Sequence, residues 1–107
     1  MTLRELFDEQ ARLIETGDVD ALVAQFRDDA VLVRFDGVVS GREAIADFLA
    51  GYISARPRLV GLDSWAECPD SFAYHVTVDV GGERLRVHGA FVLREGLIWR
   101  GFHGVMS

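Results

Sequence analysis

The C-terminal half of the chain, from residue 58 onward, contains four strand-like segments joined by short turn sequences. Each segment is rich in β-branched, leucine or aromatic residues, and the turns between them are Pro69-Asp70, Gly81-Gly82 and Arg94-Glu95-Gly96. Long consecutive strands joined by tight turns pair as an antiparallel meander. The sequence therefore predicts strands at 58–67, 71–80, 83–93 and 97–106.

Two helices are predicted at the N-terminus. Thr2 and Glu5 form a capping box at the start of the first helix, and Gly17 supplies its C-terminal stop. Asp18 can cap a shorter second helix. In both segments the apolar residues recur at the spacing of a helix that packs through one face.

A strand and a third helix are predicted next. The valine-rich segment 30–35 is typical of a strand, and Asp36-Gly37 can turn the chain back after it. Ser40 and Glu43 form a second capping box, so the third helix is expected to begin there. Arg56-Pro57 ends this helix, because the residue before a proline avoids helical geometry.

This order of elements predicts an α+β fold. Helices that are segregated from the strands along the chain must cover one face of the sheet. We therefore expect three N-terminal helices packed on a curved antiparallel sheet, with a largely apolar pocket for a small organic molecule between them. A chain of 107 residues can bury one core, so a single domain is expected over residues 1–107.

Composition argues against several classes of partner. The formal net charge of −6 repels phosphate backbones, so neither nucleic acid nor an anionic membrane is expected to bind. Cys68 is the single cysteine, which excludes an intramolecular disulfide and a zinc site built from several thiolates. The N-terminus enters an amphipathic pattern without the apolar run of a signal peptide, which predicts a cytoplasmic location.

Several segments resemble those of one cone-shaped superfamily. They lie at residues 16–22, 26–31 and 41–45, where the chain reads TGDVDAL, FRDDAV and GREAI. The resemblance covers nearly the whole chain, and the superfamily includes nuclear transport factor 2, ketosteroid isomerase, the SnoaL-like polyketide cyclases and limonene-1,2-epoxide hydrolase. It implies a cone-like, cystatin-like fold. It also implies a homodimer formed through the sheet, in agreement with the apolar residues on both faces of the strands.

The last third of the chain is most similar to limonene-1,2-epoxide hydrolase, through residues 78–79, 89–91 and 95–100. By this resemblance, the catalytic arginine and two aspartates of that enzyme correspond to Thr77, Asp79 and Gly101 here. Two of the three catalytic groups are therefore absent, and epoxide hydrolysis by that mechanism is not expected.

The groups used by ketosteroid isomerase are also absent. By resemblance, the position of its general base holds Arg34, and the position of its oxyanion-hole acid holds Gly89. Its first-helix tyrosine falls among apolar residues near Leu13 and Ile14. The resemblance therefore implies the scaffold without either known set of catalytic residues, and a fold alone does not define a function.

Arg34 and His103 are the first two candidates for catalysis. Arg34 shares a strand face with Leu32, which the resemblance makes the pocket side, and its donor fork suits a carboxylate, enolate or phosphate. A salt bridge to a nearby aspartate explains Arg34 equally well. His103 can exchange a proton near neutral pH, although lining the pocket is its favoured role.

Asp79 is the third catalytic candidate, and it has two competing interpretations. The resemblance places it in the pocket, where burial would raise its pKa and make it a base. If Gly81-Gly82 is a two-residue turn, however, Asp79 opposes Arg84 in an exposed ion pair, and His75 opposes His88 on the same outer face. One residue of register separates the two interpretations, and the resemblance favours the pocket.

The walls of the pocket are predicted to be apolar. Trp99, Gly101 and His103 alternate onto the face that the resemblance turns inward, and Tyr52 carries a hydroxyl that could reach a ligand. The expected lining residues are Leu32, Phe48, Tyr52, Val87, Phe91 and Trp99.

No cofactor is expected. The sequence contains no glycine-rich phosphate loop in the context of a strand and helix. The three histidines have no carboxylate or cysteine pair at zinc-binding spacing, so no metal is expected either.

Two functions remain. One is non-covalent acid–base chemistry on a small hydrophobic metabolite, namely isomerisation, cyclisation or epoxide opening. His103 and Asp79 would then exchange protons, and Arg34 would stabilise developing negative charge on an oxygen. The alternative is a non-catalytic module of the same fold that binds a ligand or dimerises.

Overall fold

Residues 1–106 are described by a computed structural model, in which three helices pack on one face of a six-stranded sheet. The helices are α1 (Leu3–Thr16), α2 (Val19–Val23) and α3 (Arg42–Ser54). The strands are β1 (Phe26–Arg34), β2 (Gly37–Ser40), β3 (Arg58–Cys68), β4 (Ser71–Val80), β5 (Glu83–Arg94) and β6 (Leu97–Val105). The sheet is curved and does not close, and the predicted α+β class is confirmed.

The strand order across the sheet is β2-β1-β6-β5-β4-β3. Strands β3 to β6 form the antiparallel meander that their turns predict. Strand β1 pairs in parallel with β6 on the other side, so the sheet is mixed rather than purely antiparallel. This pairing joins the first and last long strands of the chain and sets Arg34 opposite His103.

Helix α1 begins and ends where the sequence predicts, and α2 begins at its predicted cap. The Thr2 hydroxyl accepts a hydrogen bond from the Glu5 amide at 3.0 Å, and the Thr2 amide donates to the Glu5 carboxylate at 2.9 Å. Gly17 ends α1 in the left-handed conformation, with φ of 77°. The Asp18 carboxylate caps α2 by accepting from the Ala21 amide.

Two boundaries differ from the prediction. Ser40 does not cap α3, because it pairs with Val31 in the β1–β2 ladder and is still part of a strand. The N-cap is Gly41, which makes no side-chain cap hydrogen bond. Strand β1 also begins at Phe26, four residues before the predicted start, because Phe26 already pairs with Ile98 of β6.

The hydrophobic core lies between the helices and the concave face of the sheet. Its largest fully buried side chains come from α2, α3 and strands β1, β5 and β6: Leu22, Phe26, Leu32, Ile45, Phe91 and Ile98. None of the helices in residues 1–106 is long and apolar enough to cross a membrane. Core side chains do not fill all of the space between the helices and the concave face of the sheet. The remaining space is a cavity.

Candidate functional site

A cavity of about 570 Å³ lies between the concave face of the sheet and helices α1 and α3. Most of its wall is apolar, and the polar side chains that line it are Gln10, Glu15, Arg34, Asp47, Tyr52, Tyr74 and His103. Glu15 and Asp47 are exposed on the helices. The remaining polar groups lie deeper, within an apolar wall, and a mostly apolar cavity with a few convergent polar groups is typical of a small-molecule site.

Three of these polar residues lie in one row across the concave face. Tyr74 of β4 pairs with Gly89 of β5, which pairs with His103 of β6, which in turn pairs with Arg34 of β1. Side chains of directly paired residues point to the same face of a sheet. The register therefore brings Tyr74, His103 and Arg34 onto the cavity side at one level.

The hydroxyl of Tyr74 forms a hydrogen bond of 2.9 Å with Nε2 of His103. The residue between them, Gly89, has no side chain, and a Cβ atom there would lie 2.3 Å from Cζ of Tyr74. The tyrosine ring therefore occupies the space above Gly89. Either atom of this bond can be the donor, and the tautomer of His103 decides which.

Both members of the pair are uncharged at neutral pH. Burial, reinforced by the positive charge of Arg34 and by His88, lowers the pKa of His103 to about 4. Burial also raises the pKa of Tyr74 far above its ordinary value. The pair therefore offers a ligand neutral hydrogen-bonding groups over a wide range of pH.

Arg34 is the cationic residue in the cavity wall. Its Nε lies 3.3 Å from a carboxylate oxygen of Asp36, and its guanidinium lies 4.6 Å from the centre of the Phe48 ring. Arg34 therefore has both of the roles considered for it, because it lines the cavity and also forms a salt bridge with a nearby aspartate. Burial raises the pKa of the neighbouring Tyr52, and the charge of Arg34 partly offsets that shift.

The other expected lining residues divide into two groups. Leu32, Phe48, Tyr52, Val87 and Phe91 lie on the cavity wall. Trp99 does not. The three histidines do not meet either, because His75 and His88 face each other on the outer side of the sheet while His103 lines the cavity.

The expectation that Asp79 faces the pocket is wrong. Gly81 and Gly82 form a two-residue turn, so Asp79 pairs with Arg84 across the β4–β5 hairpin. Two hydrogen bonds of 2.9 and 3.2 Å join the Arg84 guanidinium to the Asp79 carboxylate. The bond from Arg84 lowers the pKa of Asp79, so this carboxylate lacks the raised pKa that a base in an apolar pocket would have.

The expectation that Trp99 lines the pocket is also corrected. Leu93 pairs with Ile98 and Val92 pairs with Arg100, so Trp99 is an extra residue in β6 without a partner in this ladder. Such a bulge moves the inward and outward faces by one position. Ile98 is consequently fully buried, and the Trp99 ring contacts the guanidinium of Arg100 outside the cavity.

Two polar residues of the cavity were missed as site candidates. The two-residue turn at Gly81-Gly82 turns Tyr74 inward, but the resemblance favoured the opposite orientation of β4, so Tyr74 was not counted among the lining residues. Gln10 lies in the apolar stripe of α1 and is 8% exposed, with its amide 3.4 Å from that of Gln25. A polar residue at a core-facing helical position was the available signal for Gln10.

Two glycines, which the resemblance aligns with acidic residues of other enzymes, lie where neighbouring side chains fill the space above them. A Cβ at Gly89 would meet Tyr74. A Cβ at Gly101 would lie 2.6 Å from Leu32 and 2.8 Å from Phe91. The apolar packing around Gly101 and the tyrosine above Gly89 therefore leave no room for carboxylates at these two positions.

Solved structures with the same fold share little sequence with this chain. A nuclear transport factor 2-like protein of unknown function from Cytophaga hutchinsonii is 15% identical, with a TM-score of 0.83 over 98% of this chain and 90% of that one. The epoxide hydrolase/cyclase-like enzyme SalBIII of pyran ring formation in salinomycin is 21% identical, with a TM-score of 0.81 over 95% and 88%. A candidate polyketide cyclase from Sinorhizobium meliloti is 20% identical, with a TM-score of 0.80 over 92% and 93%.

At these identities the structural likeness establishes the fold only. Among curated proteins, none matches the sequence. A family model does match, and it covers residues 4–101, from the first turn of α1 to the middle of β6. The chain therefore belongs to the SnoaL-like domain family.

Proposed function

We propose that the protein binds a small, mostly apolar organic molecule in the cavity and that the Tyr74–His103 pair contacts an oxygen of this ligand. The observation that carries the proposal is a hydrogen-bonded, uncharged polar pair inside a mostly apolar cavity. Buried polar groups are costly unless they are satisfied, so such a pair in a binding cavity favours a ligand with one matching polar group.

The proposed chemistry is acid–base catalysis without a cofactor, in the form of isomerisation, cyclisation or epoxide opening. Tyr74 would donate a hydrogen bond to the ligand oxygen, and Arg34 would stabilise negative charge that develops there. Both effects are stronger where water is excluded. The names of structural neighbours that refer to cyclisation or isomerisation agree with this class of reaction.

His103 has a different role in this proposal from the one that the sequence suggests. A pKa of about 4 makes it a weak base at neutral pH, and Asp79 is not available as its proton-exchange partner. His103 would therefore donate from Nε2 to the Tyr74 oxygen, which orients and polarises the hydroxyl and leaves its proton for the ligand. A proton removed from carbon would go to a carboxylate that lines the cavity, Glu15 or Asp47, and not to His103.

A pair of matched probes tests the binding proposal. 2-Acetonaphthone carries a ketone oxygen, and 2-ethylnaphthalene has a similar shape without it. Calorimetric titration should give tighter binding of the ketone by about tenfold at most, since one hydrogen bond contributes about 0.5–1.5 kcal/mol net. Tyr74→Phe should abolish this preference and leave hydrocarbon binding unchanged. Asp79→Asn is the control, because Asp79 lies outside the cavity.

Two results would contradict the proposal. If neither probe binds, the cavity does not accept ligands of this class. If the ketone and the hydrocarbon bind equally well to the wild-type protein, the polar pair does not contact the ligand. Conversion of a β,γ-unsaturated ketone to its conjugated isomer, followed by ultraviolet absorption, then separates a catalyst from a binding module.

A second proposal concerns the outer face of the sheet, which we expect to form a homodimer interface. One row across the outer face, from β2 to β3, contains only apolar residues: Val38, Val33, Phe102, Ala90, Ala73 and Ala66. Val38 is 65% exposed and Phe102 is 42% exposed. Contiguous exposed apolar surface marks interaction sites, and an uncharged row is compatible with its own copy under two-fold symmetry.

Light scattering tests the dimer. Phe102→Glu should convert a dimer into a monomer, because each protomer would bury an unpaired carboxylate in the interface. Val60→Glu is the matched control, since Val60 is similarly exposed, at 45%, but lies outside this row. A wild-type monomer at micromolar concentration would contradict the proposal.

A further inference from the structure

The hydrogen bond between Tyr74 and His103 crosses β5, a strand that contains neither residue. Tyr74 is on β4 and His103 is on β6, with β5 between them. Neighbouring strands lie about 4.8 Å apart, so the backbones of β4 and β6 are separated by roughly twice that distance. The bond forms because the Tyr74 ring reaches across β5 at the position of Gly89.

The reason for a glycine at position 89 is space and not backbone conformation. Its φ lies outside the left-handed region that glycine alone adopts readily, unlike that of Gly81 or Gly82 in the adjacent turn. A Cβ at position 89 would lie 2.3 Å from Cζ of Tyr74 and 2.4 Å from its hydroxyl oxygen. Any side chain at this position therefore displaces the tyrosine ring.

We infer that Gly89 is a positioning residue of the site, acting through Tyr74. Because residue 89 has no side chain, the Tyr74 ring lies over it and its hydroxyl reaches His103. This contact determines which polar groups of the cavity face the oxygen of a ligand. The role of Gly89 in ligand recognition rests on the proposed function. The contact itself exists without ligand and can be tested separately.

Nuclear magnetic resonance of the ligand-free protein tests the contact. The nitrogen-15 shift of Nε2 in His103 reports its hydrogen bond and tautomer. Gly89→Ala should move this shift in the same direction and to a similar extent as Tyr74→Phe. Gly61→Ala is the matched control, because its Cβ would approach no atom closer than 4.0 Å, and it should keep the wild-type shift. A folded Gly89→Ala protein with the wild-type shift overturns the inference.

A second variant covers the case in which Gly89→Ala does not fold. Tyr74→Leu removes the ring that the new methyl group would meet, so the double variant Tyr74→Leu with Gly89→Ala should fold as well as Tyr74→Leu alone. If the double variant fails to fold while Tyr74→Leu folds, Gly89 is required for another reason and the inference is wrong.

Binding of the two naphthalene probes then connects the contact to function. Gly89→Ala should lose the preference for the ketone over the hydrocarbon, by the same factor as Tyr74→Phe. A folded Gly89→Ala protein that keeps the ketone preference contradicts a role of Gly89 in recognition. If the wild-type protein binds neither probe, the proposed function fails, while the shift of Nε2 still decides whether Gly89 positions Tyr74.

Discussion

The phenolic oxygen of Tyr74 lies 2.9 Å from Nε2 of His103, although the strands that carry the two residues are not neighbours. This bond joins β4 and β6, two strands of the antiparallel meander, and β6 also pairs with β1. It also places a neutral donor and acceptor in a cavity that is otherwise mostly apolar. Stability and ligand recognition should therefore depend on the same two side chains.

Tyr74→Phe should lower the free energy of unfolding by about 1 kcal/mol, because it removes a partly buried hydrogen bond and keeps the ring. Urea denaturation measures this change. Tyr52→Phe is the control, since Tyr52 lines the same cavity but its hydroxyl forms no hydrogen bond within residues 1–106. Equal losses in the two variants would mean that the bond does not stabilise the fold.

Stability should fall as the pH decreases through the titration range of His103. The pKa of His103 is about 4 in the folded state and 6.5 ordinarily, so the unfolded chain binds more protons between these values. The free energy of unfolding therefore rises with pH over this range, by up to about 3 kcal/mol for this group. The contribution of His103 to this slope should disappear below pH 4, where His103 is protonated in both states.

Comparison with His103→Gln isolates this effect. The variant should show a weaker dependence of the unfolding free energy on pH between 4 and 6.5, since the carboxylates and the other histidines are present in both proteins. Parallel curves for the two proteins would show that His103 titrates normally in the folded state.

Gly101→Ala should destabilise the protein by about 1–3 kcal/mol, the usual effect of overpacking. The new methyl carbon would lie 2.6 Å from Leu32 and 2.8 Å from Phe91, and both side chains are fully buried. Gly51→Ala, on the exposed surface of α3, should instead stabilise by about 0.5–1 kcal/mol, because no atom lies within 4 Å and alanine favours helix. Thermal or urea unfolding of both variants decides the signs.

Asp79→Asn should leave the thermal midpoint and the affinity for 2-acetonaphthone unchanged. The Asp79–Arg84 pair is exposed, and exposed ion pairs contribute little to stability because solvent screens them. Circular dichroism and calorimetric titration provide the two measurements. A loss of ketone affinity in this variant would restore Asp79 as a site residue.

The orientation of β4 was predictable because it depends on a local feature. The two-residue turn at Gly81-Gly82 fixes the register of the hairpin, and from it the pairs Asp79 with Arg84 and His75 with His88 follow directly. Resemblance to a distant enzyme suggested the opposite face for Asp79 and was wrong. Turn length determines register more directly than similarity of short segments does.

The orientation of Trp99 was not predictable from alternation. A strand pattern with a period of two assumes that every residue has a partner, and the bulge at Trp99 inserts one that has none in the β5–β6 ladder. Neither Gly nor Pro at this point marks the bulge in the sequence. His103 still faces the cavity, because the alternation is regular again from Arg100 onward.

The contact between Tyr74 and His103 could not be predicted from the sequence and is seen only in the structure. The two-residue turn at Gly81-Gly82 indicates an inward Tyr74, against the orientation that the resemblance favoured, and the sequence singled out Gly89 and His103 separately. Their combination depends on the relative register of β4, β5 and β6 and on the empty space above one residue. These are properties of the assembled sheet, to which no single segment of sequence corresponds.

The parallel pairing of β1 with β6 also affects how the protein forms during synthesis. Arg34 leaves the ribosome long before His103, its neighbour in the sheet, and until then one edge of β1 has no partner. A nascent chain that stops before β6 exposes the edges of both β1 and β5, and unpaired edges promote aggregation. Pairing of strands so distant in the chain is slow because a long loop must close first. Shortened chains that lack the last strand should therefore accumulate as insoluble protein.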